Sequence, residues 1–252
     1  MKHLHHETHI SAGNAGTPAN TSPLDTVVSV DAKMPDGTDH LSSGVLVAPD
    51  EVLTAAHAVW EQGVGAATSI TVTPELNGNS KPLGTIAATD FHYFPVADAN
   101  DMINQLGSEQ DFALIHLSRA VGLGDMALDT RFVTGPAHIT GYPESAGLTH
   151  LVDVVTNTTV DPRFTDLDFR NAAIGPGDSG GPIWEIGPNG HAFVAGVVST
   201  ASWGGEITPQ IASDIEGWIA ADHGTLVAGA SDPGALQTLS APTLSLHHDW
   251  FV

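Results

Sequence analysis

The chain has 252 residues, 41% of them hydrophobic and 14% charged, with 7 basic against 29 acidic side chains and no cysteine. Such a length and composition give ample core for one large all-β domain or two small ones and exclude a disordered chain. A formal charge of −22 repels nucleic acid and anionic membranes, so neither is expected as a partner, and no disulfide can staple the fold.

Residues 1–23 carry His3, His5, His6 and His9, then Gly, Ala, Asn, Thr and Pro, and read as a leader or propeptide. No apolar run long enough for a secretory signal follows Lys2, and no stretch of the sequence suits a membrane-spanning helix. The four histidines lack carboxylate or cysteine partners at fixed spacing, so no metal site is expected there, and no cofactor anywhere. From Thr26 onward, β-like runs at 26–30, 43–48, 51–54, 69–74, 85–91 and 111–117 alternate with turn residues, enough for one barrel over 24–121. Residues 118–129, with Gly122 and Gly124, read as a crossover. A second set at 132–134, 137–142, 152–160, 164–170, 182–186 and 193–200 fills another barrel within 122–221.

Thr208 and Pro209 then open the one convincing helix, Thr as cap and Pro in the first turn. Ile211, Ile215, Trp218 and Ile219 recur along it at helical spacing and form an apolar stripe for packing. The fold class expected is therefore all-β, two six-stranded antiparallel barrels with a C-terminal α-helix. Beyond Asp222 the composition shifts to Gly, Ala, Ser, Leu and Thr, a C-terminal extension over 222–252.

Chemistry concentrates at three places. The run Gly175-Pro176-Gly177-Asp178-Ser179-Gly180-Gly181-Pro182 forbids regular structure and describes a fixed loop with a hydroxyl at its centre. An exposed serine whose own N–H, with that of Gly177, can point at a developing oxyanion suits nucleophilic acyl transfer; the plainer alternative is a Gly-rich turn. A serine needs a base, and Val52-Leu53-Thr54-Ala55-Ala56-His57 supplies one at the end of a hairpin. Asp111, opening the apolar run Phe112-Ala113-Leu114-Ile115, must be paired if buried. Accepting the Nδ1 proton of His57 satisfies it and leaves Nε2 for Ser179. Asp98 and Asp101, in a polar loop with nothing to bury them, are the competing acids.

T-A-A-H, D-F-A-L-I and G-D-S-G-G-P, in that order, resemble the motifs of the chymotrypsin-like (trypsin-like) serine endopeptidases, over roughly residues 24–221. The resemblance implies His57 as general base, Asp111 as its orienting carboxylate, Ser179 as nucleophile, and Gly177 with Ser179 as oxyanion donors. It implies a protein or peptide substrate; the oligomeric state is not read from it. Ile10 stands where that family carries an N-terminus released by cleavage, which would pair with Asp178; failing that, Arg163 or Arg170 is the nearest cation in sequence. The family's pocket floor falls on Ala173, six residues before Ser179, and its wall on Val198, Ser199, Thr200 and Ala201. Alanine provides no carboxylate for Arg or Lys. Gly141-Tyr142-Pro143 is similar to bacterial glutamyl endopeptidases, but their wall histidine is Val198 here. A small or medium apolar residue before the scissile bond is thus expected. The absence of cysteine fits a bacterial-type, secreted member. The C-terminal Asp249-Trp250-Phe251-Val252 resembles an uncleaved export signal, the alternative being a tail packed on a barrel. The functional alternative is a non-catalytic binding module or adhesin on the same scaffold.

Overall fold

A computed structural model describes residues 22–96 and 103–224. The first half contains β1 (Val27–Lys33), β2 (Asp39–Ala48) and β3 (Glu51–Thr54), then a small ribbon of β4 (Trp60–Glu61) and β5 (Gly65–Ala66). After these come β6 (Ser69–Pro74), β7 (Ile86–Tyr93), the short helix α1 (Gln105–Ser108) and β8 (Ala113–Leu117). Six of these strands close into a barrel in the order β1-β2-β3-β8-β7-β6. Alternate residues of β1, Val28, Val30 and Ala32, point inward to meet Leu46, Val52, Val72 and Ile115 in its core.

The second half holds β9 (Ala127–Leu128), β10 (Thr134–Gly141), β11 (Val152–Asp161), β12 (Asp166–Asp168), β13 (Pro182–Ile186), β14 (Ala192–Val198) and β15 (Trp203–Glu206). Strands β10, β11, β12, β15, β14 and β13 follow one another, and the β13–β14 pairing closes the ring. The crossover ends in β9, which lies parallel to β14 as a seventh, appended strand. The expected all-β architecture of two six-stranded barrels is thus present, with one substitution among its strands. Residues 132–133 precede the ladder, which starts where Thr134 faces Thr159, and the sixth strand is β15 instead. Its Gly204 and Gly205 carry no β signal, yet only glycine fits: a Cβ on Gly204 would overlap Ile183 and the Val197 carbonyl, and one on Gly205 would sit 2.6 Å from the Phe112 ring.

The C-terminal helix α2 (Pro209–Asp222) starts as expected, the Thr208 hydroxyl accepting from the Ile211 N–H at 3.2 Å. Its Ile211, Ala212 and Ile215 enter one apolar cluster with Val45, Leu53, Phe112 and Leu114 of the first barrel and Trp184, Val194 and Val197 of the second. Burial of this shared stripe, rather than helix propensity, holds α2 in place. No helix among the described residues is long and apolar enough to cross a membrane. Ile215→Ala should lower stability by about 2–5 kcal/mol, and Thr208→Ala by about 1 kcal/mol, measured by urea unfolding; a smaller loss at Ile215 than at Thr208 contradicts this packing.

Candidate active site

Strand β3 leads through Ala55 into a single 3₁₀ turn, Ala56–Ala58, which holds His57 at the barrel rim with its side chain 27% exposed. Asp111 lies in the turn between α1 and β8, and the ladder begins two residues after it. Its side chain is fully buried. Three donors converge on the carboxylate. The His57 N–H reaches Oδ1 at 2.9 Å, the His57 Nδ1–H reaches Oδ2 at 2.6 Å, and the Ser199 hydroxyl reaches Oδ2 at 2.5 Å. Because a carboxylate only accepts, Nδ1 carries the proton and the acceptor lone pair belongs to Nε2. The competing Asp98 and Asp101 lie outside the described residues.

The Gly-rich loop is tied at every turn. Asp178 N–H donates to the Gly175 carbonyl at 3.1 Å and Gly181 N–H to the Asp178 carbonyl at 2.8 Å, while Gly180 N–H and the Val198 carbonyl pair at 2.8 Å. Ser43 of β2 crosses from the first barrel to secure it. Its N–H donates to the Ser179 carbonyl at 2.8 Å, its hydroxyl donates to the Gly177 carbonyl at 2.7 Å, and the same hydroxyl accepts from Tyr142 N–H at 2.8 Å. The Thr54 hydroxyl in turn donates to the Ser43 carbonyl at 2.7 Å. This closeness explains two glycines. Gly177 (φ +93°) and Gly180 (φ +75°) adopt left-handed backbone, and a Cβ on either would overlap the Tyr142 carbonyl or the Thr54 hydroxyl and Ser43 carbonyl. The N–H groups of Gly177 and Ser179 make no hydrogen bond to a protein acceptor among the described residues.

Of the residues read as the specificity wall, Ser199, Thr200 and Ala201 line a cleft of roughly 620 Å³ together with His57, Trp60 and Trp203. Val198 instead packs into the second barrel's core with Phe132, Ile139 and Ile183, and Ala173 is exposed ahead of the Gly-rich loop. Asp178 is buried, and burial raises its carboxyl above the usual range; Gly175 N–H donates to it at 3.1 Å. Neither arginine expected to neutralise it does so: Arg163 pairs with Asp161 at 2.8 Å and Arg170 with Asp168 at 2.5 Å, each two residues away on its own turn. Ile10, the other candidate partner, lies outside the described residues, as do the leader histidines and the C-terminal tail.

The sequence reading missed Ser43, Thr54 and the clamp made by the Ser199 hydroxyl. The available signal was Ser42-Ser43 in the middle of an apolar strand, since buried hydroxyls require partners.

The sequence matches the Trypsin family over residues 13–219, most of its length. The chain belongs to the trypsin family of serine endopeptidases. Among solved structures, this trypsin-family chain is similar to the protease Anisep from Arthrobacter nicotinovorans (18% identity, TM-score 0.63, covering 78% of this chain and 96% of that one). It is also similar to a Glu endopeptidase (21%, 0.62, 84% and 100%) and to a thermostable serine protease from an extremophilic microorganism (18%, 0.61, 79% and 98%). At those identities the likeness is one of fold. A 71-residue stretch is 38% identical to an extracellular metalloprotease of Bacillus subtilis, spanning 28% of this chain and 23% of that protein.

Ser43→Ala should cost about 1–3 kcal/mol of stability, because it strands the buried Tyr142 N–H and Gly177 carbonyl. Denaturant unfolding of the two proteins checks it; an unchanged midpoint contradicts the role given to this hydroxyl.

Proposed function

We propose that this chain is an active endopeptidase that cleaves protein or peptide substrates through an acyl-enzyme on Ser179. The observation that supports the reading most is the buried Asp111 carboxylate holding the His57 ring by both its backbone N–H and its Nδ1–H. That grip presents Nε2 as the base. In the first step the Ser179 Oγ attacks the substrate carbonyl carbon while Nε2 takes the hydroxyl proton. The imidazolium so formed is stabilised by Asp111, and the N–H groups of Gly177 and Ser179 bind the oxyanion. Collapse of the tetrahedral intermediate breaks the C–N bond as His57 returns its proton to the leaving amine. Water then repeats the sequence on the ester and releases the acid. Ser199 orients Asp111 from the opposite barrel and acts only through it.

For specificity we infer a small or medium apolar residue before the cleaved bond. The cleft wall at Ser199, Thr200 and Ala201 carries no charged side chain, and Ala173 and Val198 supply neither a carboxylate for a basic residue nor a histidine for a glutamate. We further infer an extracellular site of action, as for the extracellular metalloprotease of Bacillus subtilis to which a 71-residue stretch is similar. A panel of peptides varied only at the residue before the scissile bond, cleaved by the native protein and by Ser179→Ala, tests the pocket and the catalytic reading. Cleavage should be fastest after Ala, Val or Leu, and Ser179→Ala should lower kcat/KM by about 10⁵–10⁶. Preferred cleavage after Arg refutes the pocket reading; undiminished activity of the Ser179→Ala protein refutes the catalytic one.

A further inference from the structure

On the first barrel, Glu51 of β3 and His116 of β8 are directly paired across the ladder. They lie on the barrel face that carries Leu53 and Leu114 beneath α2. The helix ends over them. His223, which caps α2, brings its Nε2 to 3.1 Å from Glu51 Oε1 and 3.2 Å from Asp50 Oδ1, and His116 Nδ1 lies 2.8 Å from the same Glu51 oxygen. One donor atom from each of Asp50, Glu51, His116 and His223 falls within 4.8 Å of every other. Two imidazoles and two carboxylates thus meet from three elements far apart in sequence.

A second observation points to a missing cation. Glu51 is completely buried, and its Oε2 has no hydrogen-bond partner among the described residues. A buried carboxylate oxygen left bare is costly unless it is paired or coordinates a metal. Around Glu51, two further acids, Asp222 and Asp50, stand beside the imidazoles of His116 and His223. Asp222 is itself engaged by His92 at 2.9 Å, and its buried Oδ2 has no partner among the described residues. The region is therefore short of positive charge on a chain of net charge −22.

We propose that Asp50, Glu51, His116 and His223 form a divalent transition-metal site, suited to Zn²⁺, that clasps the end of α2 to β3 and β8. Ligand type selects the ion: two imidazoles disfavour Ca²⁺ and Mg²⁺, which prefer all-oxygen shells. Geometry agrees. Zinc bonds of about 2.0–2.1 Å place tetrahedral ligand atoms roughly 3.3 Å apart, and three of the pairs already stand at 2.8, 3.1 and 3.2 Å. Four protein ligands leave no open position, so the ion serves as a staple rather than a catalyst. His223 is partly exposed, with 36% of its side chain accessible, which gives the ion an entry route from solvent.

The test uses the full-length Ser179→Ala protein, protected from self-cleavage and stripped of metal, alongside the same protein carrying His223→Ala or His116→Ala. Thermal unfolding is followed with and without Zn²⁺, with Mg²⁺ as control, and Co²⁺ binding is followed by visible absorption. Zn²⁺ at a hundredfold excess over its Kd should raise the Tm by on the order of 5 °C. Mg²⁺ should not, and both the increment and the intense tetrahedral Co²⁺ bands should vanish in each variant. Because the readout is the metal-induced increment, a lower starting Tm in a variant does not obscure it. No Zn²⁺ increment, or an increment undiminished in both variants, overturns the proposal; the latter places the binding outside this cluster, as at Asp90, His92 and Asp222.

Discussion

The structure depends on one buried charge. Asp111 carries a fully buried carboxylate, a group that is expensive to remove from water unless donors surround it. Its donors come from both halves of the molecule: His57 follows β3 in the first barrel, and Ser199 follows β14 in the second. The acid can be satisfied only when the two halves are docked in one arrangement. Docking and the orientation of the imidazole are therefore a single event. Removing any one donor leaves charge uncompensated at a place where water cannot repair it.

Ser43 makes the same kind of link in the opposite direction. It reaches from the first barrel to the Gly-rich loop of the second through both its N–H and its hydroxyl. Thr54, three residues before His57, holds the Ser43 carbonyl. The turn that carries the histidine and the loop that carries Ser179 are thus fastened to one hydroxyl-rich knot. Glycines at 177 and 180 let the backbones approach that closely. The shared apolar cluster under α2 presses the halves together, but it has no directionality; the polar knot supplies the register.

Much of this was legible in the sequence because each motif has a local physical cause. A Gly-rich loop with a central serine, a hairpin ending in histidine and an acid opening an apolar strand each announce themselves within eight residues. Strands 51–54, 69–74 and 182–186 agree with their expected limits to the residue, the last bounded by Gly181 and Gly187. What escaped was non-local. Strand β15 is half glycine because its neighbours leave no room for side chains, so propensity points away from it. The expected strand at 132–134 does not form as a separate one: Phe132 turns into the second core, and Thr134 opens β10. Arg163 and Arg170 were expected near Asp178, yet each is captured by an aspartate two residues away, a shorter path than any tertiary one. Glu51, His116 and His223 are separated by 65 and 172 positions in their pairings, so no spacing rule could have joined them.

The central claim is that Asp111, by gripping His57, makes Ser179 the nucleophile. Reaction with a fluorophosphonate probe, followed by mass spectrometry of the adduct, measures this most directly in the native protein and in Asp111→Asn. The account predicts one adduct, on Ser179, formed about 10⁴-fold more slowly in the variant, where the imidazole is held in the wrong tautomer. Equal rates in the two proteins, or an adduct on any other residue, contradict it.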